Sequence, residues 1–395
     1  MSAPFGLLDF FTAGHRPAEE WGIGLEGECF CLDSSGASVS YFGENGIAQV
    51  LEFWAESDEW MGKYEGEHIV SLHAEDGRAI TLEPGGQIEF GTTPCKDIDS
   101  LSQELKGFQA MFDRASEKYG YQFLRVGAHP SAEPGDIKRL PKARYDILEP
   151  HLAEADDLGL HMMKTTAGIQ VNFDHSDAED AMLKLRTCFA LSPVIQALYA
   201  NSPKNGFASW RGHIWTRTDN ARCGIVESLV AEGSTLEDYV NYMLDVPMLF
   251  IEREGKFVDM RNKSFRDYYV SGEATQEDWA LHLSTPFPEV RFRPQIELRC
   301  ADAVDSDKAL SLATLVETIF YNRKSLERAW SLTAAWTYEQ RVAALHEAHH
   351  YALKGKAPGG RELGEFADEL IRIALEAASP VQESYLNLLK QELAI

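Results

Sequence analysis

A chain of 395 residues with 44% hydrophobic and 25% charged content can bury a large core and carries no long segment of disordered composition. Its 37 Lys and Arg stand against 62 Asp and Glu, and the formal net charge of −25 argues against nucleic acid or anionic membrane as a partner, since both would be repelled. An anionic substrate would need bound metal or clustered arginines to reverse the local field.

The stretch MSAPFGLLDFF has no basic start, no long apolar core and no small-residue cleavage site, and no later run approaches about 18 apolar residues, so a cytoplasmic protein is expected. Residues 5 to 13 predict a short helix ended by Gly14, leading into a strand over 21 to 32. Ile47, Val50, Leu51 and Trp54 fall at helical spacing and predict a helix over 44 to 57. The segment IVSLHAEDGRAITLEPGGQIEFG reads as a strand, an EDG hairpin turn, a second strand, a Pro-Gly-Gly bend and a third strand. Asp97 and Asp99 are candidate caps for a helix over 97 to 119 with the stripe Leu101, Leu105, Phe108 and Phe112.

QFLRVGAHP predicts a strand, and 131 to 160 reads as turn-rich, with Lys138, Arg139, Lys142 and Arg144 as a small basic cluster. A strand over 165 to 174, a helix over about 177 to 200 and a loop containing ANSPKNGF follow, and from 306 the pattern is almost all helix, interrupted by KGKAPGG. No Ser/Gly-rich linker or internal repeat divides the chain. One domain over 1–395 is expected, with a central antiparallel sheet, helices outside it and a mostly helical part over 306–395.

Four short stretches carry the chemistry: LEGECF with Glu26 and Glu28, LEPGGQIEF with Glu83, Gln87 and Glu89, GIQVNFD with Gln170 and Asn172, and IELRC with Glu297 and Arg299. Side chains two apart in a strand share a face. One acidic, oxygen-rich sheet face is therefore expected, with Leu25, Ile88, Val171 and Leu298 covering the other. Closely packed carboxylates without cationic neighbours must protonate or bind a cation, and hard oxygen ligands favour magnesium or manganese over zinc.

The cations that could face bound phosphate are Arg211 in SWRGHIW, Arg299, and Arg291 with Arg293 in PEVRFRP. Arg299 shares strand parity with Glu297 and should face the same site. Cys29 and Cys31 have the opposite parity to Glu26 and Glu28, which predicts small buried residues behind the site. All six cysteines, including Cys95, Cys188, Cys223 and Cys300, are expected to be reduced.

Two short patterns are set aside. GIGLEG satisfies GxGxxG, but no helix pattern follows it and its glutamates would repel a pyrophosphate. HEAHH, with His346, Glu347 and His350, satisfies HExxH, but no third ligand is evident.

The ordered motifs WGIGLEGECF, ITLEPGGQIEFG, PKARYDIL, LGLHMM, QVNFD, ANSP, NGF, HIWTRTDNARCG, LDVPM, TPFPEVRFRP and IELRCAD resemble the plant and proteobacterial class of glutamate-cysteine ligase over about residues 5 to 305. GRELGEFADELIRIALEA extends the resemblance weakly into the C-terminal helices. The resemblance implies an α+β fold of the glutamine synthetase-like type, in which a curved, mainly antiparallel sheet forms a funnel-shaped site.

It also implies that Glu26, Glu28, Glu83, Glu89 and Glu297 hold magnesium ions bridging ATP and the substrate carboxylate. Gln170, Asn172 and Gln87 would complete the metal or substrate shell. Arg299 would contact the transferred phosphoryl group, and Arg211 a phosphate or the glutamate carboxylate. The implied reaction joins L-glutamate to L-cysteine through γ-glutamyl phosphate, the first step of glutathione biosynthesis.

The chain departs from the family pattern in three places. Gly27 and Cys29 replace a His and a Lys, Lys164-Thr165-Thr166 replaces Arg-Thr-Cys, and the loop between ANSP and NGF shrinks to Lys204. A ligase of the same mechanism with another amine acceptor therefore stands beside the leading assignment. A non-catalytic homologue is the third alternative, against which the intact Glu and Arg set argues.

Overall fold

Thirteen strands in a computed structural model describing residues 5–57 and 59–393 carry the architecture. The first four residues of the MSAPFGLLDFF stretch, Asp58 and the last two residues lie outside the described part. The strands are β1 (Ile23–Leu32), β2 (Met61–Glu65), β3 (His68–His73), β4 (Ala79–Leu82), β5 (Ile88–Gly91), β6 (Gln122–Leu124), β7 (Gly168–Phe173), β8 (Cys223–Gly224), β9 (Phe250–Arg253), β10 (Lys256–Asp259), β11 (Phe287–Pro288), β12 (Val290–Phe292) and β13 (Ile296–Asp302).

Eight of them pair in the order β12-β13-β7-β1-β5-β4-β3-β2, and β6 pairs the end of β1. Every one of these pairings is antiparallel. The β9-β10 hairpin and the parallel β8-β11 pair stand apart from this sheet.

The register aligns the polar pairs. Glu26 lies opposite Gln170, Glu28 opposite Glu89, Glu89 opposite Thr81, Glu297 opposite Asn172, and Arg291 opposite Glu297. Alternation then sends Leu25, Ile88, Val171 and Leu298 to the other face, where all four are buried. Helices Ile98–Tyr119, Ala178–Leu198 and Ser306–Phe320 pack behind the sheet. The first starts where Asp97 accepts the Ser100 N–H and ends at Gly120, whose φ of 73° suits a residue without a Cβ. Buried side chains from Phe11 to Leu389 form one connected apolar core.

Most expected elements are present, including the C-terminal run of helices broken between Tyr351 and Leu363. Two regions differ. The turn-rich reading of 131 to 160 gives way to helices Tyr145–Ala155 and Gly159–Thr165, the first with Pro150 inside it. Tyr145 and Leu152 bury one stripe of that helix, and this packing outweighs the breaker. The QFLRVGAHP strand shortens to β6, the only part that finds a partner on β1.

Candidate active site

The acidic face of the sheet floors a cavity of about 280 Å³. Glu26 and Glu28 from β1, Glu83 from the bend before β5, Glu89 from β5 and Gln170 from β7 reach into it. Tyr145 and Leu148 of the helix Tyr145–Ala155, with Leu249, Phe250 and Phe287, form its apolar wall, while Arg144, Arg291, Arg293 and Arg299 bring positive charge. A wider groove of about 1070 Å³ shares Glu83, Glu89 and Arg144 with it and is flanked by Lys63, His73 and Lys142.

The carboxylates are under electrostatic pressure. Burial, then the nearby Glu83 charge, pushes Glu28 up to about 7. Glu26 is raised by burial and by Glu297, and Glu89 is raised well above its ordinary range by burial and by Glu26, Glu83 and Glu28. These side chains keep some exposure through the cavity, yet the surrounding protein withholds bulk water. Amides and a hydroxyl hold three of them: Asn172 Nδ2 donates to Glu26 Oε1 at 2.8 Å, Gln170 Nε2 to Glu28 Oε1 at 2.7 Å, and Thr81 Oγ1 to Glu89 Oε2 at 2.5 Å. The Gly168 N–H also donates to Glu28.

The donor set fits a hard divalent cation. Among the described residues Gln170 Oε1 is buried without a hydrogen-bond partner, beside carboxylates that repel one another, and a cation would relieve both conditions. Among the described residues no three His, Cys, Asp or Glu side chains already converge as a metal-ligand set, and Glu26, Glu28 and Glu89 each accept a hydrogen bond from a protein donor.

Glu297, Gln87, Arg211 and Asn172 do not line the cavity, and Asn172 serves it through its hydrogen bond to Glu26. Glu297 is saturated by arginine: Oε2 accepts from Arg291 Nε at 2.7 Å, and Oε1 accepts from Arg291 Nη2 at 3.1 Å and from Arg299 Nη1. Burial pushes its carboxyl up, but the Arg291 and Arg299 charges more than reverse this and hold it down to about 2. It does not line the cavity, whereas Arg299 does, next to a bulge between Leu298 and Ala301.

Gln87 does not reach the cavity, because the Pro84-Gly85-Gly86 bend breaks strand alternation before β5. Its amide accepts from the Gly85 N–H at 3.0 Å and donates to the Thr166 carbonyl at 2.8 Å. Arg211 is buried beside the cavity rather than in it. It donates to the carbonyls of Arg299 and Cys300 and lines, with Gln196, Glu289 and Arg299, a void of about 10 Å³.

Sequence reasoning left Arg144, Tyr145 and Leu148 out of the site; the apolar spacing of Tyr145, Leu148 and Leu152 was the available signal. Cys29 and Cys31 are buried behind the acidic face as expected, and burial pushes the Cys29 thiol up to about 12. All six cysteines are free. In HEAHH, the Glu347 carboxylate accepts the Lys356 N–H at 2.9 Å and His350 stacks on Phe207, so both serve local packing.

The glutamate-cysteine ligase family 2 model matches residues 22–391. The chloroplastic glutamate-cysteine ligase of Medicago truncatula is 33% identical over 395 residues, covering 96% of this chain and 77% of that protein. The chloroplastic enzyme of Nicotiana tabacum is 34% identical over 382 residues, covering 94% and 72%. The crystal structure of the Francisella tularensis glutamate-cysteine ligase in complex with AMP superimposes with a TM-score of 0.59 at 14% identity, over 95% of this chain and 82% of that one, which shows a shared fold.

These relatives correct the cytoplasmic expectation, since the curated plant proteins are chloroplastic. The composition of the first residues of this sequence does not decide a compartment, because organellar transit peptides are amphipathic and Arg- and Ser-rich rather than apolar. No helix among the described residues is long and apolar enough to cross a membrane. By the extent of the family match and of these identities, the chain belongs to glutamate-cysteine ligase family 2.

Proposed function

We propose that this chain is an ATP-dependent ligase that joins the γ-carboxylate of L-glutamate to the amine of L-cysteine through γ-glutamyl phosphate, as in glutathione biosynthesis. The polarised cavity is the observation that supports this most: carboxylates on its floor and four arginines around it. A carboxylate is a poor electrophile in neutral water. In the first step a γ-carboxylate oxygen attacks the γ-phosphorus of ATP and ADP leaves. In the second the amine attacks the acyl carbon, inorganic phosphate leaves, and the nitrogen loses a proton.

Both steps gather negative charge on oxygen, which preorganised cations stabilise without a covalent enzyme nucleophile. Glu26, Glu28, Glu83 and Glu89, with the free carbonyl of Gln170, would hold magnesium, or manganese in its place. Such an ion neutralises phosphate charge and polarises the phosphoryl group when bound. Arg299 faces the transferred phosphoryl group, and Arg211 fixes the strand backbone that carries Arg299 by donating to its carbonyl. Asn172 orients Glu26, and Gln87 braces the bend that presents Glu83. We place Glu297 as the counter-charge that holds Arg291 and Arg299 in the site. The whole chain acts as one catalytic unit.

The Lys164-Thr165-Thr166 departure does not line the cavity. Lys164 Nζ pairs with Glu149 at 2.7 Å, and both threonine hydroxyls donate to carbonyls of their own helix. That favours cysteine as acceptor over a different amine. Glutamate labelled with ¹⁸O in its γ-carboxylate tests the mechanism: one labelled oxygen should appear in the released phosphate, and unlabelled phosphate would exclude an acyl phosphate.

A further inference from the structure

Four arginines line the cavity, and three have partners. Arg291 and Arg299 share Glu297, and the Arg144 guanidinium lies over the Tyr145 ring and donates to its hydroxyl at 3.5 Å. Arg293 forms no ion pair or side-chain hydrogen bond among the described residues, and its Nε is buried without an acceptor. A half-buried guanidinium with a buried Nε and no direct ion-pair partner is costly to keep. Burial, then the Arg291 and Arg299 charges, work against its protonated form, and the Glu297 and Glu26 charges offset them only in part.

The backbone beneath Arg293 is fixed. Its N–H donates to the Gln295 carbonyl at 2.8 Å, closing the turn between β12 and β13. The Pro294 carbonyl in that turn accepts from His175 Nε2 at 3.0 Å, and Gly14 packs so closely against it that a Cβ there would collide. Arg293 also has the parity of Arg291, so it projects toward the site face while Phe292 enters the core. A rigid turn thus holds an unpaired planar donor at the wall of a cavity that must receive anions.

We infer that Arg293 is an oxyanion-binding residue of this site, unpaired in the free protein because a substrate carboxylate or phosphate is its partner. The inference rests on the ligase assignment for the identity of that anion, and not for the binding itself. Arg offers a planar two-pronged fork that Lys lacks, so Arg293→Lys should keep only part of the function.

The test compares wild type, Arg293→Met and Arg293→Lys. Calorimetry measures binding of L-glutamate and of the non-hydrolysable imido analogue of ATP, and steady-state assays vary each substrate in turn. One anionic ligand should bind Arg293→Met roughly 10- to 100-fold more weakly, with Arg293→Lys in between. Loss confined to glutamate identifies a carboxylate contact, and loss confined to the ATP analogue a phosphate contact. The Met variant should also melt no lower than wild type, because a half-buried charge without an ion-pair partner is gone.

Equal binding of both ligands by wild type and Arg293→Met would overturn the inference, as would a variant that melts several degrees lower. Wild type that binds these anions but forms no product would overturn the ligase assignment and leave Arg293 to be judged on binding alone.

Discussion

Glu28 accepts a hydrogen bond from Gln170 Nε2 at 2.7 Å, and the carbonyl end of that amide is buried without a partner among the described residues. Both side chains are set up to turn onto a third group. Glu28→Gln keeps the volume and removes the charge. Phosphate release should fall by about 10²- to 10³-fold, while the melting temperature holds or rises because Glu28 no longer repels Glu83. Unchanged turnover would remove Glu28 from the metal-holding set.

Glu297 neutralises two arginines from adjacent strands. Glu297→Gln should cost about 3 kcal/mol in urea denaturation, since two buried guanidinium groups lose their counter-charge. Adding Arg291→Met should recover part of that loss. A loss under roughly 0.5 kcal/mol would mean that the pair is solvated in solution.

His282 is buried, stacks on Phe265, and donates from Nε2 to the Met243 carbonyl at 2.7 Å. Burial lowers its pKa from 6.5 to about 4. The folded state therefore binds fewer protons than the unfolded chain between those values, and the stability present above pH 6.5 is lost as the pH falls toward 4. The contribution is on the order of 3 kcal/mol. His282→Gln keeps a donor for Met243 and should flatten the pH dependence of denaturation in this window. His175, also lowered to about 4, should leave a residual slope.

Ala352 ends the helix Tyr338–Tyr351 at φ 49° and ψ −128°, a conformation suited to glycine. Ala352→Gly should stabilise the protein by about 1 kcal/mol and raise its melting temperature by roughly 1–2 °C. A lower melting temperature would show that the turn is not strained in solution.

The parity of Glu26, Glu28, Glu89 and Gln170 was readable because strand alternation has a period of two and each lies inside an uninterrupted strand. Gln87 was not, since the Pro84-Gly85-Gly86 bend resets the alternation one residue before β5 begins. The state of Glu297 depends on register: only the pairing of β12 with β13 reveals that Arg291 lies directly across from it. The helix Tyr145–Ala155 was hidden by Pro150, and with it went the cavity wall made by Tyr145 and Leu148.

The central claim is ATP-driven coupling of glutamate to cysteine. The direct measurement is phosphate release from ATP with a divalent cation and glutamate, with cysteine compared against a panel of other amino acids and small amines, and with mass identification of each product. Phosphate release that requires both glutamate and cysteine, matched by γ-glutamylcysteine, is the predicted result. Faster release with another amine would contradict the acceptor assignment, and no release with any of them would contradict the ligase account itself.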